Sequence, residues 1–144
     1  MDEKTEQLIE GLNEDLANEY AAIIMYNNYA AVVTGLYRQV LKPFFEGEIA
    51  DEQHHALYLA EKISVLGGTP TTKPAEVRQT DDVKEMLQNA FQAEMETIKR
   101  YKERAKQADE LGHIELQIKL EDMIADETGH MEEMERLLQD PRLQ

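Results

Sequence analysis

Of 144 residues, 42% are hydrophobic and 31% charged, with seven Gly, four Pro and no Cys, a composition that leans to helix in a chain long enough to bury the core of one domain. The absence of Cys excludes a disulfide framework, thiolate zinc, iron-sulfur clusters and a rubredoxin-type centre, so any metal must be held by oxygen and imidazole. A formal charge of -15 repels nucleic-acid phosphates and disfavours direct DNA binding, while drawing cations to the surface.

The amino terminus, Met1-Asp2-Glu3-Lys4, is acidic where a signal peptide would be basic. No apolar run approaches the roughly 18 residues needed to cross a membrane. The expectation is a cytoplasmic protein with no membrane association, forming one domain over residues 1–144.

The first helical pattern covers residues 5–34, with Leu8, Leu12, Leu16, Ile23, Tyr26 and Val33 at helical spacing. Glu19 falls inside that stripe. A second helix is expected to start near Leu41 to Pro43, since proline is tolerated in a first turn, and to run to Leu66. Phe45, Ile49, Glu52, Ala56, Leu59 and Ile63 share its inward face. Gly67-Gly68-Thr69-Pro70 ends it, and the stretch to Gln79 lacks a helical period. The third helix spans Asp82 to Ala108, with Asp82 as N-cap and Glu85 three residues later completing a pair like a capping box. Its inward stripe is Leu87, Ala90, Phe91, Glu94, Ile98 and Tyr101. The fourth runs from about His113 to Gln139, with Leu116, Leu120, Met123, Ile124, Glu127, Met131, Met134 and Leu138 inward. Two short turns and one long middle connection predict an all-α fold, an antiparallel four-helix bundle with one long crossover.

A duplication crosses this pattern. Ile49-Ala50-Asp51-Glu52-Gln53-His54-His55 recurs 75 residues later as Ile124-Ala125-Asp126-Glu127-Thr128-Gly129-His130, so I-A-D-E-x-x-H occurs twice. Each copy stands 33 residues after an inward glutamate, Glu19 before Glu52 and Glu94 before Glu127. Helices rise about 1.5 Å per residue, so two residues of a hairpin share a height when the turn falls midway between them. The midpoints are Gly35-Leu36 and Glu110-Leu111, beside Gly112. Glu52 with His55, and Glu127 with His130, lie on one helix face about 5 to 6 Å apart at Cβ. Packed face to face, the hairpins would bring Glu19, Glu52, His55, Glu94, Glu127 and His130 to one level of one core.

Either E-x-x-H motif alone reads most simply as a surface pair. Two copies, each matched to an inward glutamate with glycine at the midpoint, read as a duplicated metal site. Lone buried carboxylates are very costly. Four of them balance two Fe(II) ions when both histidines are neutral, and oxidation leaves an excess of positive charge that bridging oxide or hydroxide can offset. Carboxylate with imidazole suits iron or manganese over calcium or structural zinc, although zinc could still bind. Asp51 and Asp126 are expected to hold His130 and His55 across the bundle, because metal-bound histidines donate their second N–H to a carboxylate.

Other residues divide. Tyr26 and Tyr101 lie on the ligand face and could either hydrogen-bond the site or serve as core tyrosines. His54 points about 100° away from His55 and reads as solvated, and His113 as a turn residue. Glu48, one turn before Glu52, could be an extra ligand or lie on the iron's way in, but its counterpart in the other copy is Met123, and the symmetry argues against it. Met123, Met131 and Met134 read as core filler. Gly129 costs about 1 kcal/mol in a helix and would admit a neighbouring helix or side chain.

The twin motifs and paired glutamates resemble the ferritin-like di-iron carboxylate family, nearest to bacterioferritin and bacterial Dps-like ferritins, over nearly the whole chain. The resemblance implies that Glu52 and Glu127 bridge two irons, Glu19 and Glu94 are terminal ligands, and His55 and His130 each bind one. It implies ferroxidase activity with dioxygen or peroxide, and iron storage inside a homo-oligomeric shell. The alternative is a rubrerythrin-like di-iron or di-manganese peroxidase or oxidase that stores nothing. Where bacterioferritin carries its haem-binding methionine this chain has Gln53, so haem is not expected. Little chain follows the fourth helix, too little for the short fifth helix of 24-subunit ferritins, which favours a shell of twelve over one of twenty-four. The site lies within one subunit, as in bacterioferritin, rather than between subunits as is usual for Dps.

Overall fold

Four long helices carry most of residues 1–144 in the computed structural model: α1 (Glu3–Val32), α2 (Arg38–Val65), α3 (Val83–Glu110) and α4 (Ile114–Leu138), followed by a short 3-10 turn at Pro141–Leu143. The two hairpins open alike. Asp2 accepts from the Thr5 N–H at 2.7 Å and Asp82 from the Glu85 N–H at 2.9 Å, each satisfying a donor that the first helical turn leaves free. Glu85 does not complete the expected reciprocal pair, because the Asp82 N–H is taken by the Thr80 hydroxyl at 3.1 Å.

The turns fall at the two predicted midpoints. Gly35 and Gly112 adopt φ of 80° and 77°, the left-handed conformation in which a side chain is strained. The helix boundaries fall within two residues of expectation except one: α2 starts at Arg38, before the predicted Leu41–Pro43. The Arg38 guanidinium turns back and donates to the carbonyls of Ala30 and Val33 at 3.3 and 2.7 Å, capping α1 and drawing the reversal tight. Pro43 then sits in the second turn of α2, and the carbonyl it leaves free, that of Gln39, belongs to an exposed residue.

Cross-helix contacts define the topology. Tyr26 meets Glu94 and Tyr101 meets Glu19, so α1 and α3 run antiparallel. Asp51 meets His130 and Asp126 meets His55, so α2 and α4 do as well. Since α1 and α2 form a hairpin, α2 and α3 are parallel, and the connection must return the length of the bundle, roughly 40 Å for a helix of this size. Residues 66–82 make that crossover as an extended strap. Its anchors are Asn13, which takes the Thr71 N–H at 2.8 Å and donates to the Thr69 carbonyl at 3.1 Å, the Ala75 N–H to Ala17 carbonyl bond at 2.9 Å, and Tyr29 on the Arg78 carbonyl at 2.7 Å. The predicted all-α bundle with one long crossover is the observed fold.

The core is two apolar clusters. One gathers Leu8, Leu12, Leu16, Leu59, Ile63 and Leu120 among others; the second centres on Tyr26, Tyr29, Leu41, Phe45, Met86 and Leu87. The polar groups described below lie between them.

One buried ion pair lies outside those groups. Asp15 on α1 is 1% exposed and accepts from Arg104 Nε on α3 at 2.9 Å, with Arg100 farther off at 3.7 Å. Gly11 makes this possible, since a Cβ there would come within 2.4 to 2.6 Å of the Arg104 guanidinium. Burial pushes the Asp15 carboxyl up to about 6 against the pull of Arg104 and Arg100. A folded-state value above the unfolded one means that protonation favours the folded chain, so this carboxylate costs stability above about pH 6 and ceases to as pH falls through its folded and then its unfolded value. Arg104→Met should therefore destabilise the bundle at pH 7 by about 3 to 5 kcal/mol, and the deficit should shrink on acidification. Urea unfolding at pH 7 and pH 5 measures both, and a loss below about 1 kcal/mol at pH 7 would show the pair to be dispensable.

Candidate metal centre

Helical spacing puts one glutamate from α1 and one from α3, and an E-x-x-H pair from α2 and from α4, at the same height. All six predicted residues come together there. Glu19, Glu52, Glu94 and Glu127 are between 0% and 2% exposed and His55 is 6% exposed; His130 is half-buried.

Each imidazole is fixed from outside. His55 Nε2 lies 3.3 Å from Asp126 Oδ2, and His130 Nε2 lies 3.0 Å from Asp51 Oδ2, the two cross-bundle pairings expected from sequence. Both aspartates are exposed, so they are carboxylates at the rim that turn Nε2 outward and Nδ1 inward. His55 Nδ1 then stands 3.1 Å from Glu127 Oε1, 3.9 Å from Glu52 Oε2 and 4.0 Å from Glu19 Oε2. His130 Nδ1 stands 3.9 Å from the same Glu127 oxygen. Glu127 therefore lies between the two imidazoles. Glu52 belongs to both groups of donor atoms that converge within 4.8 Å, one with Glu19 and His55, the other with Glu48, Glu94 and His130.

The tyrosines hold the other two carboxylates. Tyr26 donates to Glu94 Oε1 at 2.6 Å, and Tyr101 donates to Glu19 Oε1. Each is the duplicate of the other and each serves the opposite hairpin. Of the two readings open from sequence, both apply: these are core tyrosines whose hydroxyls are satisfied by the site. Burial, reinforced by the surrounding carboxylates, pushes both phenols well above their usual range and keeps them as donors.

Electrostatically the cluster is short of positive charge. Burial drives the Glu52 carboxyl well above the ordinary carboxylate range, with Glu19 and Glu127 adding to the effect, and Glu19 is raised chiefly by burial as well. Burial alone would lower the histidines, yet Glu127, Glu19 and Asp126 lift His55 to about 9, and Glu48, Glu127 and Asp51 lift His130 to about 9. Protons gather where cations would otherwise sit.

Unpartnered atoms test the fit to metal. Eleven buried side-chain nitrogen and oxygen atoms lack a hydrogen-bond partner, and eight of them are here: Glu19 Oε2, Glu48 Oε2, Glu52 Oε1, His55 Nδ1, Glu94 Oε2, both oxygens of Glu127, and His130 Nδ1. Buried polar atoms are paired almost without exception in folded proteins. Inward imidazole nitrogens and carboxylate oxygens, fixed from behind and unmatched in front, are a donor set suited to first-row divalent ions such as Fe(II), Mn(II) or Zn(II). A cavity of about 50 Å³ between α1, α3 and the crossover reaches Glu52 and Glu94, room for water, dioxygen or a small ion.

Glu48 is the residue that sequence reasoning set aside. It is 4% exposed and faces the centre. Pseudo-symmetry with Met123 argued against a role for it, yet one turn before Glu52 is the same helix face and its side chain turns inward there. His54 is exposed as expected, and His113 lies at the turn before α4. Met123 and Met134 are buried core residues, Met131 less so. Gly129 has open space around its Cβ direction, so neither a neighbouring helix nor a side chain accounts for it.

Known proteins share this sequence pattern and this fold. The family model described as a ferritin-like domain matches residues 9–143. A crystal structure of a ferritin-like, di-iron-carboxylate protein from Bacillus anthracis superposes with a TM-score of 0.95 at 68% identity, covering 96% of this chain and 99% of that one. A bacterioferritin of Brucella melitensis is 31% identical over 136 residues, 92% of this chain and 83% of that protein. A nutrient stress-induced DNA-binding protein of a Nostoc species is 31% identical over 118 residues, 75% of this chain and 64% of that protein.

The rim aspartates offer a direct test. Asp51→Ala or Asp126→Ala should weaken Zn(II) binding roughly tenfold or more by freeing an imidazole, as read by competition with a chromogenic chelator. Unchanged affinity in both variants would mean that the aspartates are solvated bystanders.

Proposed function

The chain belongs to the ferritin-like family, and from that premise we propose that it is a cytoplasmic ferroxidase that oxidises Fe(II) with dioxygen or peroxide and stores the ferric product. The observation that carries the reading is the ring of buried, unpartnered donor atoms contributed by all four helices. Glu52 and Glu127 would bridge two irons, Glu19 and Glu94 would be terminal ligands, and His55 and His130 would each hold one iron through Nδ1.

Iron is the substrate here, and the electrons balance on it. Two Fe(II) become two Fe(III), releasing two electrons that with two protons convert dioxygen to hydrogen peroxide, or hydrogen peroxide to two waters. The cavity beside Glu52 and Glu94 has room for water, dioxygen or peroxide, and in this reading the iron supplies the electrons. Four carboxylates neutralise two Fe(II), and oxidation leaves the pair over-positive until hydroxide or oxide joins it. Tyr26 and Tyr101 hold the terminal carboxylates against that change in charge. Asp51 and Asp126 keep both imidazoles aimed inward.

Storage needs an enclosing assembly, and the proposal includes a homo-oligomeric shell of this chain, with twelve subunits favoured over twenty-four. No helix is long and apolar enough to cross a membrane. The DNA binding in the name of the Nostoc relative is not carried over, because a net charge of -15 opposes phosphate.

Fe(II) added in air to the metal-free protein, followed by ferric absorbance and light scattering after size exclusion, tests the whole reading. Oxidation continuing well beyond two irons per chain inside a large assembly is expected, and Glu94→Ala should abolish the fast phase while leaving the assembly intact. Oxidation that stops at two irons in a dimer would replace storage with the peroxidase or oxidase reading.

A further inference from the structure

The two halves of the centre are not equivalent. The six expected ligands, the two tyrosines and the two rim aspartates are all duplicated, whereas at position 48 α2 carries glutamate and the matching position of α4 carries Met123. Glu48 has the feature that marks the six expected ligands. It is 4% exposed, its Oε2 is buried without a hydrogen-bond partner, and its donor atom converges with those of Glu52, Glu94 and His130 within 4.8 Å. Its Oε2 is 2.8 Å from His130 Nδ1, so both atoms face the same space. Met123 cannot ligate in this way and is packed into the apolar cluster on its side.

We infer that Glu48 is a seventh inner ligand, making the Glu94 and His130 half a tighter divalent-cation position than the Glu19 and His55 half. An acceptor serving His130 alone would have no reason to converge with the carboxylates of Glu52 and Glu94 as well. The tighter half has Glu48, Glu52 and Glu94 about one imidazole, whereas the other has Glu19 and Glu52 about its own, with Glu127 between them. Five carboxylates over-compensate two divalent ions by one charge. With two trivalent ions, a single hydroxide brings the set to neutrality, so Glu48 also favours the oxidised pair.

This rests on the reading that the centre takes two metal ions, and the test separates the two claims. Metal-free assembled protein is titrated anaerobically with Co(II), which avoids turnover, by calorimetry and visible absorbance. The wild type should bind two Co(II) per chain in two resolved steps. Glu48→Gln, which keeps size and hydrogen-bonding capacity, should weaken the tighter step about tenfold or more and leave the other in place. Glu48→Met, which installs the residue of the other copy, should bring the two constants together, and its melting curve reports that the bundle is intact. If both variants keep both wild-type constants, or weaken both steps alike, Glu48 is not a ligand and the two-metal reading stands. If the wild type binds no Co(II), the two-metal reading falls and Glu48 falls with it.

Discussion

Five carboxylates buried around one level of a helical core, those of Glu19, Glu48, Glu52, Glu94 and Glu127, are the constraint to which the rest of the structure answers. Each ionised carboxylate removed from water costs several kcal/mol unless it is paired, and like charges facing one another add to that cost. The protein spreads the support over all four helices. Tyr26 and Tyr101 bind Glu94 and Glu19 from across the bundle, and Asp51 and Asp126 bind the histidines from the rim. The inward atoms are left unmatched. Such a cluster is a poor core and a good cation trap.

Support runs between the two copies and not within them. Tyr26 belongs to the first hairpin and holds a glutamate of the second; Tyr101 returns the exchange. Asp51 and Asp126 repeat this with the histidines. Neither hairpin alone has a supported ligand, so the duplicated motif acquires chemistry only when the two halves dock. The extended crossover makes docking possible with α2 and α3 parallel, tied down by Asn13, Ala17 and Tyr29 of α1. Outside the centre the copies have diverged. Asp15 and Arg104 form a buried ion pair where the corresponding positions hold Ala90 and Tyr29.

Much of this was legible in the sequence because helical periodicity and hairpin symmetry are both arithmetic. Equal spacing from Glu19 to Glu52 and from Glu94 to Glu127, with glycine near each midpoint, determined which residues would meet. The start of α2 was not legible, because it depends on Arg38 folding back onto carbonyls of α1, a contact with no local signature. Asp15 and Arg104 were missed although Asp15 lies one turn before Glu19 on the same face, and the clearest sign was Gly11, a small residue that leaves room for a guanidinium. The burial of Glu48 was overlooked for the opposite reason. Symmetry was trusted where the helical period, which places Glu48 directly beneath Glu52, was the stronger physical argument.

The placement of the centre between two apolar clusters separates folding from metal binding. In small zinc domains the metal replaces a core that the chain is too short to build. Here Leu12, Leu59, Leu120 and their neighbours close one end, and Tyr29, Phe45, Leu87 and theirs close the other. Those clusters can hold the ligands in place while protons on carboxylates and imidazoles relieve the uncompensated charge. A preformed site of this kind can release a metal without unfolding, as the proposed turnover of iron would require. Metal that binds the folded state alone then adds stability to a bundle already made.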